Sequence, residues 1–296
     1  MLFQHATADF QGFLHKFHSS IIDNLFDIAG PCRSAVRAAT VAPIGAGKML
    51  LRRYIIGMAT SSFQPLIVIP TYNEAENLPL LVPAVFEHAP AAHILVVDDN
   101  SPDGTAQLAR QLAEAHRGKV HLMERPAKSG LATAYIDGFR WGMQRSYTHF
   151  LEMDADFSHD PRHLPAIFEA GRNYDVVIGS RNIPGGAVVG WSALRNFISK
   201  GGSLYSRLIL WCPIRDLTGG FNLWSRRALE TIDLSKVISR GYSFQLEMKY
   251  RAYRKGLSIR EVPITFPDRT RGKSKMSRRI FIEALLKVWS LRFLKL

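Results

Sequence analysis

Two kinds of segment alternate from residue 66 onward: short apolar runs, and longer segments whose apolar residues recur at helical spacing. The apolar runs predict buried strands at LIVIP, HILVVDDN, VHLMER, HFLEMDAD and DVVIGSR. The intervening segments predict helices at AENLPLLVPAVFEHA, GTAQLARQLAEAHRG, SGLATAYIDGFRWGMQ and PRHLPAIFEAGRN. This alternation predicts an α/β fold, in which a mostly parallel sheet has helices on both faces and ligands bind beyond the carboxyl ends of the strands.

Polar residues follow three of the predicted strands, at residues 71–74, 98–103 and 154–158. In the last group, Asp154 and Asp156 are two positions apart, so in a strand they point to the same side. A divalent hard cation such as Mg²⁺ or Mn²⁺, itself bound to a nucleotide diphosphate, would offset the repulsion of two converging carboxylates. For this fragment alone, a solvated turn is an alternative of similar weight. We expect His159 to be a capping or surface residue rather than a ligand.

Composition narrows the choice of partner. The chain has 296 residues and a formal net charge of +13, with a pI of about 10.0. This balance is typical of proteins that meet nucleic acid, an acidic membrane surface or phosphorylated substrates. Cys32 and Cys212 lack metal-ligand spacing, which favours reduced thiols in a cytosolic setting. We find no stretch of the roughly 18–20 uninterrupted apolar residues that a membrane span needs.

The first part of the chain carries no recognisable pattern. The piece APIGAGKML lacks two residues of a phosphate-binding loop, because Ala42 and Met49 stand where Gly and Ser or Thr are needed. We expect residues 1–57 to be a poorly ordered extension, with a small helical addition as the alternative. The predicted catalytic domain covers residues 58–268, and residues 269–296 form a loop and a C-terminal helix.

Ordered motifs place the chain near a known family. The stretches VIPTYNEAENL, ILVVDDNSPDGT and MDADFSHDP, each after a predicted strand, resemble the family-2 glycosyltransferases. The later stretches RPAKSGLATAYIDGF, DLTGGFNLWSRRAL, GYSFQLEMKYRA and VPITFPDRTRGKSKM resemble the polyprenyl-phosphate (dolichyl-phosphate) mannosyltransferases within that family. The resemblance covers residues 66–276. It implies the GT-A fold, with a Rossmann-like sheet that binds a nucleotide sugar.

The resemblance also implies a donor site. Its donor-binding residues would be Pro70, Tyr72, Glu74, Asp98, Asp99, Lys128, Asp154 and Asp156. In this reading Tyr72 lines the nucleoside pocket, Asp98 or Asp99 accepts from the base edge, and Lys128 helps to hold the diphosphate, with a solvated loop lysine as the alternative. Asp154 and Asp156 bind Mg²⁺ or Mn²⁺. Ser158 stands where relatives often supply a Gln ligand, and it is a weaker ligand, so water or the diphosphate would complete the metal shell.

The remaining implied residues concern the acceptor. The catalytic set would be Asp156, Arg181, Arg195, Ser199, Arg269 and Lys275. Arg195 and Ser199 are four residues apart in a helical stretch and therefore share a face. Matching Arg and Ser positions in the family hold a lipid phosphate, and the loop with Arg269 and Lys275 closes over the donor and the metal.

The resemblance implies an inverting transfer of mannose from GDP-mannose to a polyprenyl monophosphate. A phosphate monoester is already ionised at neutral pH, so no general base is required, and we expect Glu247 to be structural or to position Arg side chains. The alternatives are a polyprenyl-phosphate glucosyltransferase that uses UDP-glucose and, in another class, a basic nucleic-acid-binding protein. The chain lacks the helix-turn-helix, zinc and RNP patterns of the latter, so we expect no nucleic-acid partner.

The C-terminal segment SRRIFIEALLKVWSLRFLKL bears on location. Arg279, Glu283, Lys287 and Ser290 recur at helical spacing on one face, and the run ends in basic residues. This pattern predicts an amphipathic helix that lies on an anionic membrane surface, with a helix that covers its own domain as the alternative. We expect a peripheral protein on the cytoplasmic face of a membrane, attached directly or through a separate membrane-anchoring partner.

Overall fold

The computed structural model describes residues 63–267 and 287–294. The strands are β1 (Pro65–Thr71), β2 (His93–Asp98), β3 (Val120–Glu124), β4 (His149–Glu152), β5 (Val176–Ser180), β6 (Ala187–Val189), β7 (Asn222–Ser225), β8 (Ile259–Pro263) and β9 (Thr265–Pro267). The helices are α1 (Leu78–His88), α2 (Thr105–Ala115), α3 (Leu131–Met143), α4 (Leu164–Gly171), α5 (Ala193–Leu210), α6 (Arg226–Ile232) and α7 (Tyr242–Arg254). Short 3₁₀ helices occur at Pro161–His163 and Leu234–Lys236.

One mixed sheet dominates the described residues. Its strand order is β3-β2-β1-β4-β7-β5-β8, and β6 pairs with β9 in a separate parallel ribbon. In the large sheet β7 alone runs antiparallel to its neighbours, β4 and β5. The carboxyl ends of β1, β2, β4 and β5 therefore meet at one edge of the sheet, as the sequence predicts.

Alternating residues of β1 separate the core into two layers. Leu66 and Val68 face one layer, to which α3 contributes Tyr135. Ile67 and Ile69 face the other layer, which lies against α1. Because β1 is buried on both faces, it reads as a continuous apolar run rather than an alternating one.

Two glycines let α3 approach the sheet closely. A Cβ added to Gly138 would lie 2.5 Å from Val68 Cγ1, and one added to Gly142 would lie 2.6 Å from Phe150. These glycines are four residues apart and thus share a helix face. The close approach brings Tyr135, one turn earlier in α3, toward the carboxyl end of β4.

The structure confirms the strands and helices predicted up to residue 180 and adds elements that the pattern missed. Strands β6 to β9 were not predicted. Strands β6, β8 and β9 are only partly buried, and β7 (NLWS) has only two apolar residues, so none gives a long apolar run. The prediction that a strand continues to Asp156 is wrong, because β4 ends at Glu152 and a turn follows.

The C-terminal part is described only in a short piece. Residues 287–292 are helical, and Val288 and Leu291 are buried in the core layer that includes α3. The same helix leaves Trp289 exposed. Among the described helices, none has the length and apolar character that crossing a bilayer would require. The predicted extension at residues 1–57 and most of the segment 269–296 lie outside the described residues.

Candidate active site

The two aspartates after β4 are fixed by a short turn. Tyr135 Oη donates to Asp154 Oδ1 at 3.1 Å, and His159 Nδ1 accepts the Asp154 backbone N–H at 2.9 Å. The backbone N–H of Ser158 donates to Asp156 Oδ1 at 3.1 Å. Phe157 has a φ of 61°, so the chain reverses at this point by adopting the left-handed conformation. The turn, rather than strand alternation, brings the carboxylates and the hydroxyl into one loop.

His159 belongs to the interior of this loop. Its side chain is 2% exposed, and its ring stacks on Phe221 with centroids 4.8 Å apart. The ring also meets the edge of Phe266 at 5.8 Å. The surface prediction for His159 is therefore wrong. Its ring accepts the Asp154 N–H inside the loop, while the cap of the following 3₁₀ helix is Asp160.

The oxygen atoms of the loop suit a hard cation. The Ser158 hydroxyl oxygen is buried, and the described residues offer it no hydrogen-bond partner. Together with the carboxylates of Asp154 and Asp156, it forms the all-oxygen set that Mg²⁺ and Mn²⁺ prefer. Within residues 63–267 and 287–294 no group of three or more His, Cys, Asp or Glu side chains is placed to hold a metal ion, so this loop would depend on further oxygens from water or a ligand.

The carboxylates after β2 are engaged within the protein. Asp98 accepts from the Thr71 hydroxyl at 2.8 Å and from the Ser101 backbone and hydroxyl at 2.9 and 2.6 Å. Asp99 accepts from the backbone N–H groups of residues 129 and 130, and it pairs with Arg125 at 2.8 Å. Both side chains therefore shape loops at the strand edge.

The other predicted donor residues lie at the same edge. Pro70 pairs with Val97 in the β1–β2 register and precedes the loop that holds Tyr72 and Glu74. The Glu74 backbone N–H donates to Thr105 Oγ1, and its carboxylate accepts from Asn77 Nδ2 at 2.8 Å. Lys128 Nζ lies 3.4 Å from the centroid of the Tyr72 ring. The structure thus brings Tyr72 and Lys128 together, although they are far apart in sequence.

Arg181, directly after β5, is held by a buried carboxylate. Its Nε and Nη2 donate to Asp216 Oδ2 and Oδ1, both at 2.8 Å, and Nη2 also donates to Thr218 Oγ1 at 3.1 Å. Burial by itself would lower the pKa of Arg181, but the neighbouring Asp216 charge outweighs burial and raises it. Burial would likewise raise the pKa of Asp216, yet the Arg181 guanidinium holds it well below its usual range. Arg181 is thus a permanent, fixed cation at the strand edge.

The remaining predicted acceptor residues are only partly described. Ser199 lies half-buried on α5. Arg195 lies one helical turn before it, but its side chain is outside the described part of the chain. Arg269 and Lys275 fall outside the described residues.

A buried polar network behind the loop escaped the sequence analysis. Glu152, the last residue of β4, accepts from Asn222 Nδ2 at 2.7 Å, and the same amide donates to Gln245 Oε1 at 2.8 Å. Lys249 lies fully buried on α7. Burial raises the pKa of Glu152 and lowers the pKa of Lys249. The sequence pattern does not indicate these residues, because each is a single polar side chain between apolar neighbours.

Glu247 has a structural role, as expected. It is fully buried, accepts from the backbone N–H of Ser239 at 2.7 Å and pairs with Arg251 Nε at 2.8 Å. It therefore ties the start of α7 to the preceding loop and positions an arginine.

Comparisons with known proteins agree with this geometry. A model of the family described as Glycosyl transferase family 2 matches residues 66–233. The chain is 49% identical over 230 residues to a protein of Mycolicibacterium smegmatis (strain ATCC 700084 / mc(2)155) named polyprenol monophosphomannose synthase, covering 77% of this chain and 87% of that protein. It is 48% identical over 228 residues to the undecaprenyl-phosphate mannosyltransferase of Micrococcus luteus, covering 76% and 93%. The chain belongs to glycosyltransferase family 2 and is a glycosyltransferase.

A solved structure shows the same architecture. Glucosyl-3-phosphoglycerate synthase from Mycobacterium tuberculosis, in complex with Mn²⁺, UDP and glucosyl-3-phosphoglycerate, matches with a TM-score of 0.57 at 16% identity. The match covers 78% of this chain and 82% of that one. The predicted GT-A fold is confirmed.

Proposed function

We propose that the protein transfers mannose from GDP-mannose to a polyprenyl monophosphate with inversion, giving polyprenyl phosphate β-mannose and GDP. The observation that carries this proposal is the pairing, at one edge of the sheet, of a carboxylate loop with a buried cation. The loop is residues 154–158, and the cation is Arg181 after β5. Two relatives of nearly half identity are named for mannosyl transfer or mannosyl synthesis on a polyprenyl phosphate, which supports the same choice of sugar and acceptor.

The loop after β4 fits Mg²⁺ or Mn²⁺. Asp154 and Asp156 would hold the ion, and the buried Ser158 hydroxyl offers a further oxygen. When bound, such an ion neutralises charge on the leaving diphosphate. The chain prepares the site in advance, because the Tyr135 hydroxyl and the His159 ring fix Asp154 before any ligand arrives.

The nucleoside would bind on the loops after β1 and β2. Tyr72 offers an aromatic face there, and Lys128 covers that face. We infer that Lys128 swings from the ring to the diphosphate when the donor binds, because an ammonium interacts more strongly with two phosphates than with a ring. Asp98 and Asp99 hold the surrounding loops in place.

The acceptor would need no general base. A phosphate monoester carries close to two negative charges at neutral pH, so its oxygen attacks without losing a proton. The tasks left to the protein are to orient the phosphate and to offset its charge. Arg181 is suited to both, since its guanidinium is immobile and permanently charged.

A donor screen tests the proposed function. Purified protein with Mg²⁺ and polyprenyl phosphate is offered GDP-mannose or UDP-glucose, and the released nucleotide is measured. We expect GDP release that depends on the lipid phosphate. Preferred turnover of UDP-glucose would overturn the assignment of GDP-mannose as the donor. Equal nucleotide release without any lipid phosphate would overturn the assignment of polyprenyl phosphate as the acceptor.

We also propose that the protein docks on an anionic membrane surface through a defined apolar patch. The patch consists of Leu204, Leu208 and Trp211 at the end of α5, with Trp289 and Phe293 at the C-terminus, all of them exposed. Arg292 lies over the Trp211 ring at 5.4 Å, so the two parts are adjacent and carry positive charge. A lipid acceptor resides in a bilayer, and an apolar patch next to arginine suits its interface.

The backbone at Trp211 supports this docking surface. Trp211 is 76% exposed and has a φ of 51°, directly after the last residue of α5. The left-handed position after a helix normally favours glycine, and a bulky residue there is strained. The sequence thus retains a strained, exposed tryptophan where glycine would be more stable, as expected if the side chain has a binding role.

A further inference from the structure

The stretch DLTGG, at residues 216–220, has no assigned role in the proposed reaction. It forms the loop between α5 and β7, and its first residue, Asp216, is fully buried. The Asp216 carboxylate accepts four hydrogen bonds. Three come from Arg181, through its backbone N–H, Nε and Nη2, and the fourth comes from the backbone N–H of Gly219.

The backbone of Asp216 is fixed from two further sides. Its N–H donates to Glu261 Oε1 on β8 at 3.0 Å. Its carbonyl accepts from the buried Lys249 Nζ of α7 at 2.8 Å, and Lys249 also donates to the Gly219 carbonyl at 2.6 Å. Asp216 therefore connects Arg181 to the edge strand β8 and to the buried Lys249 of α7, and these contacts hold the guanidinium in place.

Gly219 leaves room for the Asp216 carboxylate. A Cβ at position 219 would lie 3.2 Å from the Asp216 Cγ, Oδ1 and Oδ2 atoms, against the carboxylate itself. A methyl group there would crowd the carboxylate, which would have to shift by a few tenths of an ångström. The packing thus gives a physical reason for the glycine that follows Thr218.

The contacts of Arg181 leave one nitrogen for a ligand. Nε and Nη2 are taken by Asp216 and Thr218, while Nη1 makes no hydrogen bond to the described residues. The guanidinium carbon lies 5.1 Å from the Phe266 ring centroid and 5.9 Å from that of Trp191. Phe266 in turn contacts His159, which directly follows the carboxylate loop at residues 154–158, so one aromatic ring lies between Arg181 and His159.

We propose that Asp216 is a positioning residue, which fixes Arg181 so that its Nη1 edge meets the acceptor phosphate. The inference rests on the proposed function, since it needs a phosphate acceptor. It adds a residue that touches neither substrate and acts through Arg181. Asp216 also limits what Arg181 can do: with two nitrogens occupied, the arginine offers one edge and hence one orientation for the phosphate.

Asp216→Asn tests the inference with little change of shape. An amide has one oxygen, which accepts at most two of the four hydrogen bonds, and its NH₂ group faces an N–H donor. We expect kcat/KM for polyprenyl phosphate to fall at least about tenfold, the loss of a charge-assisted contact. GDP affinity should stay within about twofold, since Arg181 lies on the acceptor side. Glu169→Gln, which removes an exposed pair with Arg172, is the matched control and should leave both quantities unchanged.

Chemical rescue provides a readout that a merely structural role would not move. In Arg181→Ala, added guanidinium ion should restore part of the acceptor turnover, because Asp216 can seat it. The same ion should fail in Arg181→Ala with Asp216→Asn, and neutral urea should fail in both. Equal rescue in the two variants, or unchanged acceptor kinetics in Asp216→Asn, overturns the inference.

Thr218→Val tests the positioning of Arg181 if the Asp216 or Arg181 variants do not fold. It keeps the shape of Thr218 and removes one bond to Arg181 Nη2. We expect kcat/KM for the acceptor to fall about threefold or more at constant GDP affinity, and no change would overturn the inference. Wild-type protein that uses no lipid phosphate would overturn the proposed function and this inference together, whereas normal wild-type turnover with unaffected variants would overturn the inference alone.

Discussion

Single carboxylates in this protein have different tasks that the sequence cannot distinguish. Asp98, Asp99, Asp154 and Asp156 all lie at or just after strand ends. Asp98 and Asp99 are held by loop N–H and hydroxyl groups and by Arg125, while Asp154 and Asp156 share a loop with a buried Ser158 hydroxyl that has no hydrogen-bond partner among the described residues. The motif predicted the metal loop because spacing is a local property. It could not predict Asp216, whose partner Arg181 lies 35 residues away in the chain.

The metal loop leads to a prediction at the residue scale. Asp154→Ala or Asp156→Ala should abolish Mn²⁺ binding in the presence of GDP, because each removes a carboxylate from an all-oxygen site. Glu169→Ala, which removes an exposed pair with Arg172 at the end of α4, should leave it unchanged. Electron paramagnetic resonance of Mn²⁺ measures binding without any turnover. Normal Mn²⁺ binding by both variants would rule out this loop as the metal site.

Asp216 gives a second prediction, for the pH dependence of stability. Its pKa in the folded protein lies below the ordinary value. The ionised carboxylate therefore stabilises the fold at pH values above the ordinary pKa, and this stabilisation is lost as the pH falls toward the pKa of the folded protein. Asp216→Asn should lower the free energy of unfolding at pH 7 by about 3 kcal/mol, as for a broken buried pair. The difference between wild type and variant should be constant from pH 7 to pH 5 and should shrink below about pH 4. Urea unfolding measures it; a difference that grows on acidification would contradict the account.

At the scale of elements, long buried segments were predictable and short or polar-anchored ones were not. The alternation of apolar runs and helical periods predicted β1 to β5 and α1 to α4, because each must bury a face. It missed β7, whose sequence NLWS has only two apolar residues and which enters antiparallel between β4 and β5. The position of this strand depends on packing against its neighbours in the sheet, and the sequence of the strand itself carries little information about them.

The packing of α3 yields a prediction for this scale. Gly138→Ala should destabilise the fold by about 1–3 kcal/mol, because the added methyl group would overlap Val68 in the core. Gly201→Ala, on α5 with no atom near its added Cβ, is the control and should stabilise by up to about 1 kcal/mol. Urea unfolding of the two variants compares them directly. A Gly138 variant as stable as the Gly201 variant would show that α3 does not lie this close to β1.

The end of α5 leads to a further prediction, which concerns membrane binding. Trp211→Gly should bind vesicles of anionic phospholipid more weakly than wild type, while its free energy of unfolding stays equal or rises, because glycine suits the left-handed backbone. Sedimentation with vesicles measures the first quantity and urea unfolding the second. Leu80→Ala, which removes an exposed apolar residue of α1, should leave vesicle binding unchanged. Unaltered binding by the Trp211 variant would remove this tryptophan from the docking surface.

The molecule as a whole combines a buried ionic framework with a strongly basic balance. A net charge of +13 fits a nucleotide sugar, a lipid phosphate and an anionic bilayer together. Sequence motifs were sufficient to predict the family and the GT-A fold, because these depend on ordered stretches spread over most of the chain. The extension at residues 1–57 and the closing loop with Arg269 and Lys275 stay predictions, as does the amphipathic helix beyond its described piece at residues 287–294.

The linkage in the product tests the central claim most directly. Wild-type protein is incubated with GDP-mannose and polyprenyl phosphate, and the purified lipid is examined by ¹H and ³¹P nuclear magnetic resonance. The account predicts a phosphodiester in which phosphorus couples to the anomeric proton of a β-linked mannose, since an ionised phosphate attacks the face opposite the leaving GDP. An α-linked mannosyl phosphate, or a sugar attached to a hydroxyl group with the phosphate left as a monoester, would contradict it.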